Sequence, residues 1–261
     1  MTITQAQKAD QFRQLHEAGC FIMPNPWDAG SARLLAGLGF AALATSSGAA
    51  AGVLGRKDGE ISREESLAHA RAIVIATDLP VAADLEKGFG DAPAAAALTI
   101  QRAAEAGLVG GSIEDSTGNK DQPMFEFHHA VERVAAAAEA AHALPFPFMF
   151  TARCANFLRG KPDLDDTIRR LQAFEKCGAD VLFAPALPDL AAVRLVCQSV
   201  SKPFNFMVGI KGKSFSVPEL QAAGVRRISL ATSLYRAAMA GLRTAAEEVR
   251  SAGSFSYLDR I

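Results

Sequence analysis

The stretch Leu79-Pro-Val-Ala-Ala-Asp84-Leu-Glu86-Lys-Gly-Phe-Gly-Asp91 changes from apolar to acidic within a few residues. The short apolar run from Pro80 to Ala83 is typical of a strand that is buried on both faces. Asp84 and Glu86 follow it, and in an extended segment side chains two positions apart point to the same side. This pattern predicts two carboxylates that project into one space at the end of a strand.

Two like charges held that close repel each other unless a cation, a proton or a basic group lies between them. Oxygen ligands favour a hard ion such as Mg2+ or Mn2+ over zinc. For this stretch considered alone, a solvated loop with ordinary surface acids is an equal alternative.

A pattern of helix, glycine and apolar run occurs five times along the chain. A glycine just past a helix can adopt the left-handed conformation that closes the last turn, and an apolar run directly after it is typical of a buried strand. These glycines are Gly19, Gly39, Gly107, Gly178 and Gly224. Helix starts are marked by capping-box spacing or by a single aspartate cap; they are Thr4, Ser62 and Ser216, and Asp28, Asp91 and Asp163.

The pattern predicts eight strands, near residues 20–24, 40–45, 79–84, 108–114, 146–152, 180–184, 203–208 and 226–230. Helices fall between them, with an extra one at about 4–18 and another at about 232–250. Eight strand–helix units in about 250 residues match an α/β fold of the (β/α)8 TIM-barrel type. An open doubly wound sheet is the competitor, but its nucleotide fingerprint is absent. Without a linker or composition shift, we expect one domain over residues 1–261.

The composition narrows the class of protein. The chain has 261 residues, 49% hydrophobic and 21% charged, with a formal net charge of −1. Near-neutral charge gives no reason to expect nucleic acid or an anionic membrane as a partner. No apolar stretch approaches a spanning helix, and the N-terminus lacks the regions of a signal peptide. Four cysteines without CxxC spacing favour reduced thiols, and we expect a cytoplasmic protein.

Function in such a barrel lies at the carboxyl ends of the strands. The acids there could hold a divalent cation, and an arginine could grip a substrate carboxylate in bidentate fashion. The alternatives are that Asp28 caps a helix, that Asp115 orients its loop and that Arg153 is a structural ion-pair partner. The polar residues at the predicted strand ends are Asn25, Trp27, Asp28, Thr45, Ser46, Ser47, Gly48, Asp58, Asp84, Glu86, Glu114, Asp115, Arg153 and Asn205.

The segment Pro80–Gly90 resembles the metal-binding segment of the isocitrate lyase/phosphoenolpyruvate mutase superfamily. Further matches follow in the family's order: Asp28-Ala-Gly-Ser-Ala-Arg33, Ser46-Ser-Gly48, Leu54-Gly-Arg-Lys-Asp58-Gly, Ile113-Glu-Asp115 and Thr151-Ala-Arg153. The resemblance implies Mg2+ or Mn2+ near Asp84, with Glu86, Asp58 and Glu114 acting largely through bound waters.

The same resemblance implies a substrate site. The backbone of Ser47, Gly48 and Ala49, together with Arg153, would hold the carboxylate of a small 2-oxo acid or its enolate. Trp27 and Asn205 complete the predicted substrate-binding set, and Asp58, Glu114 and Arg153 form the predicted catalytic set. Family members also exchange a C-terminal helix between subunits, so a homo-oligomer, either a dimer or a tetramer, is expected.

Departures from the family pattern restrict the reaction. The lyases carry a Lys-Arg-Cys-Gly segment after the Glu-Asp pair, whereas this chain has Ser116-Thr-Gly-Asn-Lys-Asp-Gln-Pro123 without a cysteine. That argues against isocitrate cleavage, and the shorter loop argues against the phosphonate-forming mutase. Ala155 also stands where the family often has an acidic residue.

Three functional hypotheses follow. The first is a Mg2+-dependent lyase or decarboxylase that cleaves a C–C bond in a small 2-oxo or dicarboxylic acid through an enolpyruvate-like intermediate. The second is P–C bond chemistry on a phosphonopyruvate-like substrate, with Lys120 or Lys213 near the phosphoryl group. The third is a barrel that binds a metabolite without turning it over.

Overall fold

The computed structural model describes residues 3–260, and its strands form one parallel sheet. The order is β1-β8-β7-β6-β5-β4-β3-β2, and Ala44 N donates a hydrogen bond to Pro24 O at 3.1 Å, so the two ends of the sheet meet. This confirms the predicted (β/α)8 barrel. The strands are β1 (Phe21–Met23), β2 (Leu43–Ala44), β3 (Val81–Asp84), β4 (Gly110–Glu114), β5 (Met149–Arg153), β6 (Val181–Phe183), β7 (Phe204–Met207) and β8 (Arg227–Ser229).

Ten α-helices surround the described strands. They are α1 (Gln5–Leu15), α2 (Ala29–Gly37), α3 (Ser47–Val53), α4 (Arg63–Ala76), α5 (Pro93–Glu105), α6 (Phe127–His142), α7 (Leu164–Lys176), α8 (Leu190–Ser199), α9 (Val217–Ala222) and α10 (Ser233–Ala252), followed by a 3-10 helix at Ser256–Arg260. The short helix α3 was not predicted. It forms in an alanine-rich run because alanine loses little conformational freedom in a helix.

The helix starts and ends lie where the sequence predicted them, with one exception. The glycines that end helices have positive φ, up to 100° at Gly178 and Gly224. Capping boxes form at Thr4, Ser62 and Ser216, and Asp28 and Asp163 cap α2 and α7. The prediction for Asp91 is wrong: α5 has Ala92 as its N-cap, and the Asp91 carboxylate pairs with Lys87 instead.

Helix α1 packs against the amino ends of the strands, where Gln5 binds the carbonyls of Ala104 and Leu108 and Lys8 binds that of Thr77. Its Ala9 and Phe12 share an apolar cluster with strand residues that include Met23 and Val181. Beside that cluster, His16 and Arg227 are in contact through Nε2 and Nη1 at 3.2 Å. The N-terminal helix therefore extends the barrel core rather than lying apart from it.

Helix α10 is different, because none of its described residues is buried. The apolar side chains of Met239, Leu242 and Val249 are exposed on it. In the part of the chain that the structure describes, no helix is both long and apolar enough to cross a membrane.

Candidate active site

A wide cavity of about 770 Å3 opens to solvent at the carboxyl ends of the strands. Asp84 and Glu114 reach it from the ends of β3 and β4, and Arg153 from the end of β5. Parallel strands that enter a barrel side by side bring their last residues to one rim. The predicted acids and arginine therefore share one space, lined by Ser47, Asp58, Asp84, Glu86, Glu114 and Arg153.

Asp84 is oriented by hydrogen bonds from its neighbours. The hydroxyl of Ser47 donates to Asp84 Oδ2 at 2.9 Å, and the backbone N–H of Glu86 donates to Oδ1 at 3.1 Å. The Asp84 N–H in turn donates to Thr45 Oγ1 at 3.2 Å. Both carboxylate oxygens are thus fixed while their remaining lone pairs stay available to a cation.

Glu86 lines the cavity, but its backbone is not extended as the spacing from Asp84 predicts. Strand β3 ends at Asp84, and Glu86 adopts a left-handed backbone with φ of 50°. Its Oε1 is buried and has no hydrogen-bond partner among the described residues. Burial raises the pKa of Glu86 to about 8, and repulsion from Asp84, Asp58 and Glu114 adds to the shift.

Asp58 stands at the open side of the cavity. The surrounding protein withdraws enough water from this carboxylate to raise its pKa, and repulsion from Asp84 and Glu114 acts in the same direction. The Ser47 hydroxyl and Arg153 oppose the shift. A carboxylate with a raised pKa can hold a proton closer to neutral pH than an ordinary aspartate can.

Glu114 binds two guanidinium groups, one on each oxygen. Arg153 Nη2 lies 3.0 Å from Oε2, and Arg159 Nη2 lies 2.7 Å from Oε1. Arg153 is buried, its Nε has no partner among the described residues, and its guanidinium stands 5.2 Å from the Phe183 ring centroid. An unpaired buried donor is costly, so this N–H is available for a substrate oxygen.

Arg159 was missed by the sequence reasoning. It lies six positions beyond Arg153 in the loop after β5, and its N–H donates to the carbonyl oxygens of Ala155 and Asn156. Burial lowers the pKa of its guanidinium, but attraction to Glu114, Asp58 and Asp84 outweighs burial and raises it. The only signal in the sequence was a second arginine six positions after Arg153, in the same predicted loop.

Asp115 orients the loop behind the rim, as its alternative interpretation held. Its Oδ1 accepts from the Ala155 N–H at 2.8 Å, and Arg170 Nη1 lies 3.3 Å from Oδ2. Burial raises the pKa of Asp115 to about 6, while the N–H of Ala155 and Arg170 oppose that shift. The neighbouring Cys154 is also buried, and burial raises the pKa of its thiol well above the ordinary value.

Arg133 on α6 supports the acidic loop from outside the cavity. It is 1% exposed, stacks 4.3 Å from the Phe125 ring centroid, and donates from Nη1 to Gly90 O at 2.8 Å. It also donates to the carbonyls of Lys87 and Asp91. Arg133 thereby holds three carbonyls of the backbone that follows Glu86, and Thr99 and His129 bind the same segment at Gly88 O and Asp91 O.

Three predicted substrate residues have other contacts. Asn205 is 1% exposed inside the barrel, where its amide binds Arg227 and Ser229. Trp27 packs edge-on against Tyr235, with ring centroids 5.8 Å apart. Gly48 lies in α3, where an added Cβ would meet Thr232 Cγ2 at 3.0 Å. Asn205 lines a smaller cavity that shares Ser46, Asp84 and Arg153 with the rim.

The donor set at the rim fits a hard divalent ion. Its ligand atoms are oxygens, and the unpartnered Oε1 of Glu86 among several like charges calls for a cation or a proton. Within residues 3–260, however, no three His, Cys, Asp or Glu side chains lie close enough to surround a metal ion by themselves. Mg2+ usually keeps several water ligands, so it does not require such a cage.

The fold and these residues define a (β/α)8 barrel with a cluster of carboxylates and arginines at the carboxyl ends of its strands. The family model for phosphoenolpyruvate phosphomutase matches residues 12–250. The chain therefore belongs to the phosphoenolpyruvate mutase family, which confirms the resemblance inferred from its motifs.

Two relatives and one structure of similar fold give the comparison. A Burkholderia cenocepacia J2315 protein, provisionally described as a lyase/mutase, has a crystal structure that is 51% identical with a TM-score of 0.96, over 98% of this chain and 92% of that one. The 2-methylisocitrate lyase of Escherichia coli (strain K12) is 31% identical over 211 residues, 77% of this chain and 69% of its own length. A phosphonopyruvate hydrolase crystallised with oxalate and Mg2+ is 21% identical with a TM-score of 0.87, over 97% and 90%, a likeness of fold.

Proposed function

We propose that this protein is a Mg2+-dependent lyase or decarboxylase that cleaves a C–C bond in a small 2-oxo or dicarboxylic acid through an enolpyruvate-like intermediate. The observation that carries the proposal is the meeting of Asp84, Glu86 and Glu114 with Arg153 at one rim. Carboxylates that come from different segments to one space can bind a cation. A buried arginine with an unpaired N–H can bind a carboxylate or an enolate oxygen.

Asp84 is the residue that we assign to direct contact with Mg2+ (or Mn2+). Glu86, Glu114 and Asp58 would hold the ion's water ligands, in keeping with the tendency of Mg2+ to remain hydrated. A bound Mg2+ supplies Lewis acidity, which draws electron density from a 2-oxo group next to the breaking bond. The raised pKa of Glu86 supports this assignment, because a cation would relieve the repulsion from Asp84 that contributes to the shift.

Arg153 is assigned to the substrate carboxylate and to the charge that develops on the enolate oxygen. Its unpartnered Nε supplies the donor, and Glu114 keeps the guanidinium in place through Nη2. The backbone of Ser47, Gly48 and Ala49 would complete the carboxylate site. Asp58 would carry the proton to or from the enolate carbon, consistent with its raised pKa. Trp27 and Asn205 stay predicted members of the substrate-binding set.

The experiment is a substrate panel of oxaloacetate and malate analogues assayed for pyruvate or glyoxylate release with and without Mg2+. Asp84→Ala should abolish release, because the mutation removes the proposed metal contact. Asp10→Ala, an exposed acid on α1, is the matched control and should retain full activity. Metal-independent turnover, or full turnover by Asp84→Ala, would contradict the proposal.

Two other outcomes of the panel would favour the other hypotheses. Phosphate release from phosphonopyruvate would indicate P–C chemistry; Lys213 donates to Ala186 O at 3.3 Å, and Lys120 lies in the loop after β4. Metal-dependent binding of a 2-oxo acid without any product would indicate a metabolite-binding barrel.

A homo-oligomer is also part of this proposal. The exposed apolar side chains of α10 support it, since a 20-residue helix without a buried residue leaves its apolar stripe open to a second copy. The proposed dimer or tetramer would cover that stripe by exchange of α10 between subunits.

A further inference from the structure

The charges around the rim cavity are nearly balanced. Four acids line it, Asp58, Asp84, Glu86 and Glu114, and five bases line it, Lys87, Arg153, Arg159, Lys211 and Arg236. Lys87 is engaged elsewhere, because its Nζ lies 2.6 Å from Asp91 Oδ1 and also binds Thr117 O. With Glu86 ionised by the proposed divalent ion, four acids then face four bases. The proposed divalent ion adds two positive charges, so a substrate with two negative charges would restore neutrality.

Arg159 and Arg153 are the two cations that share Glu114. Their Nη2 atoms lie 2.7 and 3.0 Å from its two oxygens. Since both hydrogen bonds end on one carboxylate group, these nitrogens are at most about 8 Å apart. A short diacid whose first carboxylate binds Arg153 would bring its second carboxylate within reach of Arg159.

Arg159 has the capacity to bind that second carboxylate. A guanidinium offers five N–H donors, and in the described part of the chain only Nη2 of Arg159 has a partner. Its side chain is 40% exposed, against 10% for Arg153, so a ligand entering from solvent can reach it. Arg236 also has its Nη2 engaged, by Gly209 O at 2.6 Å, but unlike Arg159 it does not share Glu114 with Arg153.

We propose that Arg159 is a specificity-determining residue that binds the distal carboxylate of the substrate, so that the substrate class is a four-carbon diacid with an oxo or hydroxyl group at C2. This assignment rests on the proposed function, because it takes the first carboxylate to be held by Arg153. It narrows the substrate from small 2-oxo or dicarboxylic acids to those that carry both features.

The test compares three ligands by calorimetry in saturating Mg2+: oxalate, lactate and malate, the last two as both enantiomers. Lactate and malate differ only in the distal carboxylate, and oxalate reports on the core site. For the wild-type protein, malate should bind at least about tenfold more tightly than lactate, the value of one good charge-assisted contact. In Arg159→Gln that ratio should fall to about one while the oxalate affinity stays within about twofold; Arg159→Lys should retain part of the ratio.

Lys211→Gln is the competing variant, because Lys211 is an exposed cation of the same rim. It should leave the malate-to-lactate ratio unchanged. A ratio near one in the wild-type protein, an equal loss for all three ligands in Arg159→Gln, or loss of the ratio in Lys211→Gln would overturn the assignment of Arg159. Absence of Mg2+-dependent oxalate binding in the wild-type protein would defeat the proposed function and this inference together, whereas intact oxalate binding without a malate preference defeats only the inference.

Discussion

Arg133 lies outside the cavity but stabilises the acidic loop that lines it. The backbone after Glu86 makes a tight turn, and the carbonyls of Lys87, Gly90 and Asp91 each accept a hydrogen bond from this buried guanidinium; Asp91 O also accepts one from His129 Nε2. The position of Glu86 therefore depends on a side chain of α6. A sequence reading that looks only at strand ends has no access to such a dependence.

Replacement of Arg133 by methionine keeps the apolar stem but removes the donor to the Lys87 and Gly90 carbonyls and one of the two donors to the Asp91 carbonyl. We expect the free energy of unfolding to fall by about 2–4 kcal/mol, because each unsatisfied buried acceptor costs about 1–3 kcal/mol and some will find water. Urea unfolding followed by circular dichroism measures the change. Arg102→Met, at an exposed position of α5, should shift the stability by less than about 0.5 kcal/mol. Equal stability of the two variants would show that the loop does not need Arg133.

The residues of the rim were predictable where they end a strand. Asp84, Glu114 and Arg153 close β3, β4 and β5, and the parallel register pairs Glu114 with Arg153 and Asp84 with Ser112, two residues before Glu114. Glu86 reached the same cavity, but through a left-handed turn and not through strand alternation. Arg159 was missed because the turn that carries it leaves no periodic signal.

At the scale of elements, apolar runs located the strands but overestimated their lengths. The run at 40–45 contains a strand of two residues, Leu43–Ala44, because a strand extends only as far as its neighbours supply ladder partners. The composition of an apolar run shows that it is buried. It does not show how many of its residues find hydrogen-bond partners, because those partners lie in other parts of the chain. The same limit hid α3 within what reads as a loop after β2.

Helix α10 carries an apolar stripe at heptad-like spacing, formed by Met239, Leu242, Ala246 and Val249, and Tyr235 at its start packs against Trp27 of the same chain. Leu242 is 61% exposed at its centre, which is an unfavourable place for a leucine in an isolated subunit. If a second copy covers the stripe, Leu242→Glu should convert the oligomer to a monomer, because a buried unpaired charge opposes association. Sedimentation velocity measures the change.

Thr244→Glu is the control for α10, since it adds the same charge on the opposite side of the helix. It should leave the sedimentation coefficient unchanged. A wild-type protein that sediments as a monomer, or an oligomer that tolerates Leu242→Glu, would contradict the proposed interface.

At the scale of the whole molecule, the barrel interior depends on an uncharged His16. Its Nδ1 lies 2.8 Å from Phe12 O, so this nitrogen is the donor and Nε2 accepts from Arg227. Arg227 is buried and donates also to Asn205 and Thr151. Burial, together with the Arg227 charge, lowers the pKa of His16 to about 3. The contact between α1 and β8 is therefore built for the neutral imidazole.

This arrangement makes stability depend on pH with a definite sign. In the unfolded chain His16 takes up a proton near its ordinary pKa of about 6.5, whereas the folded protein resists protonation down to about 3. The stabilisation is therefore complete above pH 6.5 and is lost as the pH falls towards 3. Between pH 6 and pH 4, this one group should reduce the free energy of unfolding by about 2–3 kcal/mol.

His16→Gln tests this prediction, because glutamine can accept a hydrogen bond from Arg227 without binding a proton. The difference between the wild-type and variant free energies of unfolding, measured in urea at pH 6, 5 and 4, should change by about 2–3 kcal/mol over that range. His128→Gln, at an exposed position of α6, should leave the wild-type profile nearly unchanged because its ring is not enclosed by the barrel. Parallel profiles for the wild-type protein and His16→Gln would mean that His16 gains its proton in the folded barrel as readily as in the unfolded chain. The buried contact between α1 and β8 would then not be the source of any acid sensitivity.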